Sequence, residues 1–169
     1  MQMKSFLLPA LLTGCLTFAA SRRLEEHQGV STHVSNAEDF QMLNPATMPK
    51  PMGYSQIATV TGGTVVFISG QVALDKSGNV VGKDEFRAQV EQVFANLKAA
   101  VEATGGTFND VIKLNSYFTD FSHLSEFREV RDRYVNLANP PASTAIQVPR
   151  LVRPEFMIEV EAVAIVKKK

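Results

Sequence analysis

The segment EFMIEVEAVAIV, residues 155–166, limits what this chain can fold into more than any other. In an extended strand, side chains alternate between two faces. Phe156, Ile158, Val160, Ala162, Ala164 and Val166 then share one face. Met157, Glu159, Glu161, Val163 and Ile165 share the other, and that set is itself largely apolar. DVIKLNSYFTD, residues 110–120, has the same character, with Ile112, Leu114 and Phe118 opposing Val111 and Tyr117. A sheet made from such strands needs cover on both faces, because leaving apolar area in water forgoes the main driving force of folding.

The rest of the chain supplies cover for one face only. In DEFRAQVEQVFANLKAAVEATGG, residues Phe86, Val90, Val93, Leu97 and Val101 recur at helical spacing. Asp84 is expected to cap that helix and Gly105-Gly106 to stop it. HLSEFREVRDRYVNL predicts a second helix with Leu124, Phe127, Val130 and Tyr134 on one face. Asp120 or Ser122 would cap it, and Pro140-Pro141 would close the unit. GYSQIATVTGGTVVFISGQVAL holds two β-rich runs split by Gly62-Gly63, the pattern of a hairpin. There Val65, Phe67 and Ser69 share one face, and Val66, Ile68 and Gly70 the other. STAIQVPRL reads as a further strand. The order β-β-α-β-α-β-β predicts an α+β fold of two layers, a mixed sheet with both helices on one face. The opposite face is expected to meet another copy of the chain.

Length and charge exclude several function classes. The chain has 169 residues, enough for one domain. Lys+Arg and Asp+Glu both number 17, so no basic footprint for nucleic acid is present. The single cysteine, Cys15, excludes a disulfide framework and a thiolate zinc site. The three histidines, His27, His33 and His123, are scattered and read as surface residues rather than metal ligands.

The first fifty residues are of a different kind. MQMKSFLLPALLTGCLTFAAS has a lysine near its start, an apolar run over 6–20 and small residues at 19–21. That is the pattern of a secretory signal peptide at 1–21, too short for a comfortable membrane span. It predicts export to a periplasm or the exterior. LTGC, at 12–15, also resembles a lipobox, in which Cys15 would carry lipid and tie the protein to a membrane. A mitochondrial presequence is the other alternative, since Arg22 and Arg23 follow and no acid precedes Glu25. Residues 22–50 are polar and read as a flexible linker, leaving 51–169 as the folded domain.

From Gly53 to Val166 the chain resembles the RidA/YjgF family of reactive-intermediate deaminases. The resemblance is carried by GYSQ at 53–56, FISGQ at 67–71 and the block from Ala88 to Asp120. FREVRDRYV at 127–135, PPAST at 140–144 and IEVEAVA at 158–164 complete it. It implies a chorismate-mutase-like fold and a homotrimer whose sheets pack as a central β-barrel, with small-molecule sites in clefts between subunits. It also implies hydrolysis of imines and enamines with release of ammonia, without metal or organic cofactor. Such a site must hold the substrate, orient a water and stabilise the adduct.

The resemblance further implies individual roles. Glu159 would hold the attacking water, and Tyr54 would stand at the mouth of the cleft. Gly70 would lay bare backbone against the ligand. Ser143, Thr144 and Ala145 would line the strand after the prolines, where deaminating members carry an arginine that grips a carboxylate. Ser143 stands in its place. Arg131, where those members often have asparagine, is a candidate to supply the missing cation. Each has a plainer alternative: Tyr54 an interface aromatic, Glu159 and Glu161 an exposed pair, Arg131 a helix-surface charge. Loss of the arginine fork removes a charge-assisted contact worth roughly 1.5–3 kcal/mol. Two functions therefore stand side by side, an imine or enamine deaminase and a non-catalytic protein that binds or protects through the same cleft. Ribonuclease activity has little support, given the neutral charge and the lack of a histidine pair or an aromatic-basic strip.

Overall fold

The computed structural model describes residues 30–33 and 39–167. The expected leader at 1–21, with Cys15, lies outside the described residues. The described strands are β1 (Val30–His33), β2 (Phe40–Pro45), β3 (Ile57–Val60), β4 (Thr64–Gln71), β5 (Val111–Phe118), β6 (Ala142–Gln147) and β7 (Ile158–Val166). The helices are α1 (Phe86–Ala103) and α2 (Leu124–Arg131).

β7 lies inside the main sheet, between β4 and β5. The main sheet runs β4-β7-β5-β6, antiparallel except for the parallel β5–β6 pair, so it is mixed. Both helices lie on one face. The stripe Phe86, Val90, Val93, Leu97 and Val101 is buried there against Leu114, Phe118, Ile158, Val160, Ala162 and Ala164. Phe94 sits at the middle, its ring centroid 5.7 Å from Phe127, 5.9 Å from Phe108 and 5.1 Å from Tyr134.

The helix ends follow local chemistry. Past Thr104, Gly105 adopts φ +86°, its N–H donates to Glu102 O and the Gly106 N–H donates to Val101 O. This is the Schellman stop expected of Gly105-Gly106. The start differs from expectation: Glu85 occupies the cap position without a side-chain hydrogen bond, and Asp84 is left-handed at φ 63°. Asp120 caps the short turn Phe121–His123 that leads into α2, accepting from the Ser122 N–H, while α2 itself starts from His123 without a side-chain cap. α2 ends at Arg131, and tighter turns carry the chain on to Tyr134, whose ring still reaches the core.

Four sequence expectations are corrected. The runs flanking Gly62-Gly63 are strands, but β3 does not pair with β4 as a hairpin; β3 joins β1 and β2 in a separate three-stranded sheet. The stretch 22–50 is not wholly a linker, since β1 and β2 fall within it. Its alternation of Phe40, Met42 and polar residues is too short to stand out in a polar segment, yet Phe40 and Met42 are 2% and 3% exposed. They pack with Ile112 and Ile165, so this small sheet covers one end of the face that the helices leave open. The second face is therefore partly covered from within the chain. Finally, a register shift between Val111 and Lys113 breaks simple alternation in β5. Val111 joins the helix-side core, while Ile112 joins the small-sheet cluster.

Beyond that cover the second face is open. Phe67 is 81% exposed, Val65 47% and Ile146 44%. No helix among the described residues is long and apolar enough to cross a membrane.

Candidate functional site

Register places the polar residues of the open face in a row. Opposed residues of an antiparallel pair share a face. Glu159 lies opposite Tyr117, Glu161 opposite Asn115 and Val163 opposite Lys113. The Asn115 amide donates to Glu161 Oε1 at 2.7 Å and the Tyr117 hydroxyl donates to the same oxygen at 3.1 Å. That bond, with burial and the nearby negative charge, raises the Tyr117 phenol above its ordinary range.

The register shift between Ile68 and Gln71 turns Gly70 against Glu159. A Cβ at position 70 would lie 1.8 Å from Glu159 Oε1 and 2.7 Å from its carboxyl carbon. The carboxylate thus rests on bare backbone, at a place where only glycine leaves room for it. No hydrogen bond or ion pair among the described residues occupies it.

The other expected residues gather at the opposite edge. The Ser55 N–H donates to Pro141 O at 3.2 Å, and Ser55 forms a parallel bridge with Ala142. This pins Gly53-Tyr54-Ser55 beside the start of β6, with Tyr54 half-buried. Pro140-Pro141 end the preceding turns and leave the Pro141 carbonyl free to accept that bond, while Pro141 has no N–H of its own to leave unpaired. Arg131 comes up beneath the same segment. A Cβ on Gly53, which sits at φ +76°, would lie 2.9 Å from Arg131 Nη2. The guanidinium is not a surface charge. Its side chain is 7% exposed, and its Nε and Nη2 donate to Asp132 Oδ1 at 2.8 and 2.6 Å. Ser143 is half-buried, and Thr144 and Ala145 are exposed on the edge strand.

The structure therefore brings together two groups: Gly70 with Glu159, and Tyr54 with Arg131, Ser143, Thr144 and Ala145. It does not join the groups within one chain. β7 and β6 are separated by β5, two strand spacings or about 10 Å. Glu159 is in register with Tyr117 and Ile146, three residues along β6 from Ser143. Sequence reasoning missed Ser55, Lys113, Asn115 and Tyr117. The alternation of KLNSYF, polar at 113, 115 and 117 against Leu114 and Phe118, was the available signal for the last three. Among the described residues, no three of His, Cys, Asp or Glu gather in a way that could hold a metal ion.

The sequence profile described as Endoribonuclease L-PSP matches residues 46–166. A RutC family protein of Pyrococcus horikoshii is 40% identical over 118 residues, which cover 69% of this chain and 90% of that protein. A 2-iminobutanoate/2-iminopropanoate deaminase of Dermatophagoides farinae is 28% identical over 130 residues, 75% of this chain and 97% of that one. Among solved structures, a protein of the conserved Rid family from Yersinia pestis superposes with a TM-score of 0.68 at 32% identity. The match covers 76% of this chain and 99% of that one.

Proposed function

This chain belongs to the Endoribonuclease L-PSP family, the RidA/YjgF group, and from that membership we propose that it is a cofactor-free hydrolase of imines or enamines working in clefts between copies of itself. The observation that carries the reading is the unengaged Glu159 carboxylate laid against Gly70 on an open sheet face. A carboxylate held there has room for a water and a small molecule beside it. Glu159 accepts a proton as that water adds to the C=N carbon. Glu159 passes that proton to the nitrogen, then relays the adduct's hydroxyl proton to it as the C=O forms and the C–N bond breaks, so ammonia leaves with both protons of the water. The product is the carbonyl compound.

The two groups of site residues lie at opposite sides of one sheet, so a complete site needs Glu159 and Gly70 from one copy and Tyr54 and Ser143–Ala145 from a neighbour. The open face with Phe67 81% exposed supports such packing, and a homotrimer closed around a central barrel satisfies it. Phe67→Glu would place a charge there. We expect that variant to sediment as a smaller species and to lose hydrolysis.

Imines generated in situ, one bearing a carboxylate and one neutral, test the chemistry. Wild type is expected to hydrolyse at least one, and Glu159→Gln to fall by about 10²–10⁴-fold, the usual worth of a positioned base. Equal rates in the two proteins would overturn the role of Glu159. The absent guanidinium at Ser143, with Arg131 held by Asp132, favours one second reading, a binding or protective protein without turnover. A gain of activity on 2-imino acids in Ser143→Arg would show that the rest of the site is competent, and no gain would put the deficit beyond one side chain. Turnover by the unaltered protein would count against the second reading. Export is part of the proposal, supported by the leader-like sequence at 1–21. The mass of the mature chain tests it and reports any lipid on Cys15.

A further inference from the structure

The open sheet face carries a second feature that the imine site does not use. A cavity of about 200 Å³ lies over β7, lined by Phe67 and Ser69 from β4, Lys113 and Asn115 from β5, and Glu161 and Val163 from β7. It is smaller than the roughly 300–1,000 Å³ of drug-sized sites, so its occupant is a small molecule.

Its charges are uneven in how they are met. The Glu161 carboxylate accepts from both Asn115 and Tyr117. Lys113 is different. Its ammonium donates to Thr144 Oγ1 at 2.7 Å, and no carboxylate among the described residues lies within ion-pair distance of it. An ammonium has three N–H donors, and a hydroxyl takes only one. Burial without a compensating anion also pushes the Lys113 amine below its ordinary range. A half-buried cation in this condition gains from an anionic partner. The Ser69 hydroxyl on the facing wall is a further donor.

We propose that this cavity is a binding site for a short-chain monocarboxylate, with Lys113 as the residue that holds its carboxylate. The remaining lining decides the class. Phe67 and Val163 offer an apolar wall to a short hydrocarbon tail. Glu161 contributes one negative charge to the same space and so disfavours a dianion such as phosphate. The cavity lies on the same open face as Glu159 and Gly70, one step along β7 and β4, with Lys113, Asn115 and Glu161 as its own polar lining. Binding here rests on the observed cavity and does not require the hydrolase reading.

The test is calorimetric titration of the full chain with butanoate, butanamide and inorganic phosphate. Butanoate is expected to bind about ten- to a hundredfold tighter than butanamide, the ratio of a charge-assisted to an absent contact, with phosphate weaker than butanoate. Lys113→Met should abolish the preference for butanoate over butanamide, and Lys113→Arg should retain it, with the size of the assembly checked by light scattering in each. Equal binding of butanoate and butanamide by the unaltered protein would overturn the proposal without recourse to any variant. So would butanoate affinity unchanged in Lys113→Met, tighter binding of phosphate, or no butanoate binding at all. Imine turnover is measured separately. Its loss with butanoate binding intact would sink the hydrolase reading and leave this site standing, and the converse result would do the reverse.

Discussion

Gly70→Ala separates the position of the Glu159 carboxylate from the stability of the fold. The new methyl would start 1.8 Å from Glu159 Oε1, where an ordinary contact needs at least 3.4 Å, so the oxygen must retreat by about 1.6 Å. The atom in the way is the far end of a flexible side chain on the open face, and Gly70 is not in the left-handed region. Rotation of the glutamate relieves the clash at little cost. Removing a glycine also restricts the unfolded chain, which stabilises by about 0.4–1 kcal/mol where the backbone tolerates it. The net change in folding free energy is therefore expected within about 1 kcal/mol of zero. Catalysis is less forgiving, since a misplacement of about 1 Å can cost 10²-fold. Urea denaturation and imine hydrolysis on the same preparation make the comparison. A large loss of stability would show that Glu159 is locked in place by packing. Full activity with unchanged stability would show that the carboxylate's seat on Gly70 has nothing to do with the chemistry.

Phe94→Ala empties the centre of the aromatic cluster and should cost about 3–5 kcal/mol, read from the shift of the denaturation midpoint. Gly105→Ala places a side chain at φ +86° in the Schellman stop of α1 and should cost about 1–2 kcal/mol by the same measurement. Acid should weaken the fold through a surface turn. The Asp75 carboxyl is held below its ordinary range first by the Asn79 amide, then by the backbone N–H groups of Asn79, Ser77 and Gly78. A carboxylate depressed in the folded state adds stability above its unfolded value and loses it as pH falls through the folded one. Stability should therefore decline on acidification below the ordinary carboxylate range, and less steeply in Asp75→Asn. An identical acid slope in that variant would refute the assignment.

The α1 stripe from Phe86 to Val101 and the Gly105-Gly106 stop were legible in the sequence because both follow from local spacing and a single backbone conformation. The two-sided pattern of β7 likewise announced a sheet with a second face in need of cover. Glu159 and Gly70 were named from family likeness, but their contact depends on a register irregularity between Ile68 and Gln71 that no periodicity displays. The same is true of Val111 and Ile112, which part company at a register shift. β2 was missed because two buried residues, Phe40 and Met42, do not mark a strand until Ile112 and Ile165 are there to receive them. The sequence left Arg131 as either the missing cation or a surface charge, and only folding set Gly53 and Asp132 around it. Local sequence determined the two helices and the strands from β3 onward, since that choice needs only neighbours a few residues apart. Tertiary structure decided which strands pair, which side chains meet across them, and that Glu159 and Ser143 stand on separate sides of one sheet, because those relations bring together residues far apart along the chain.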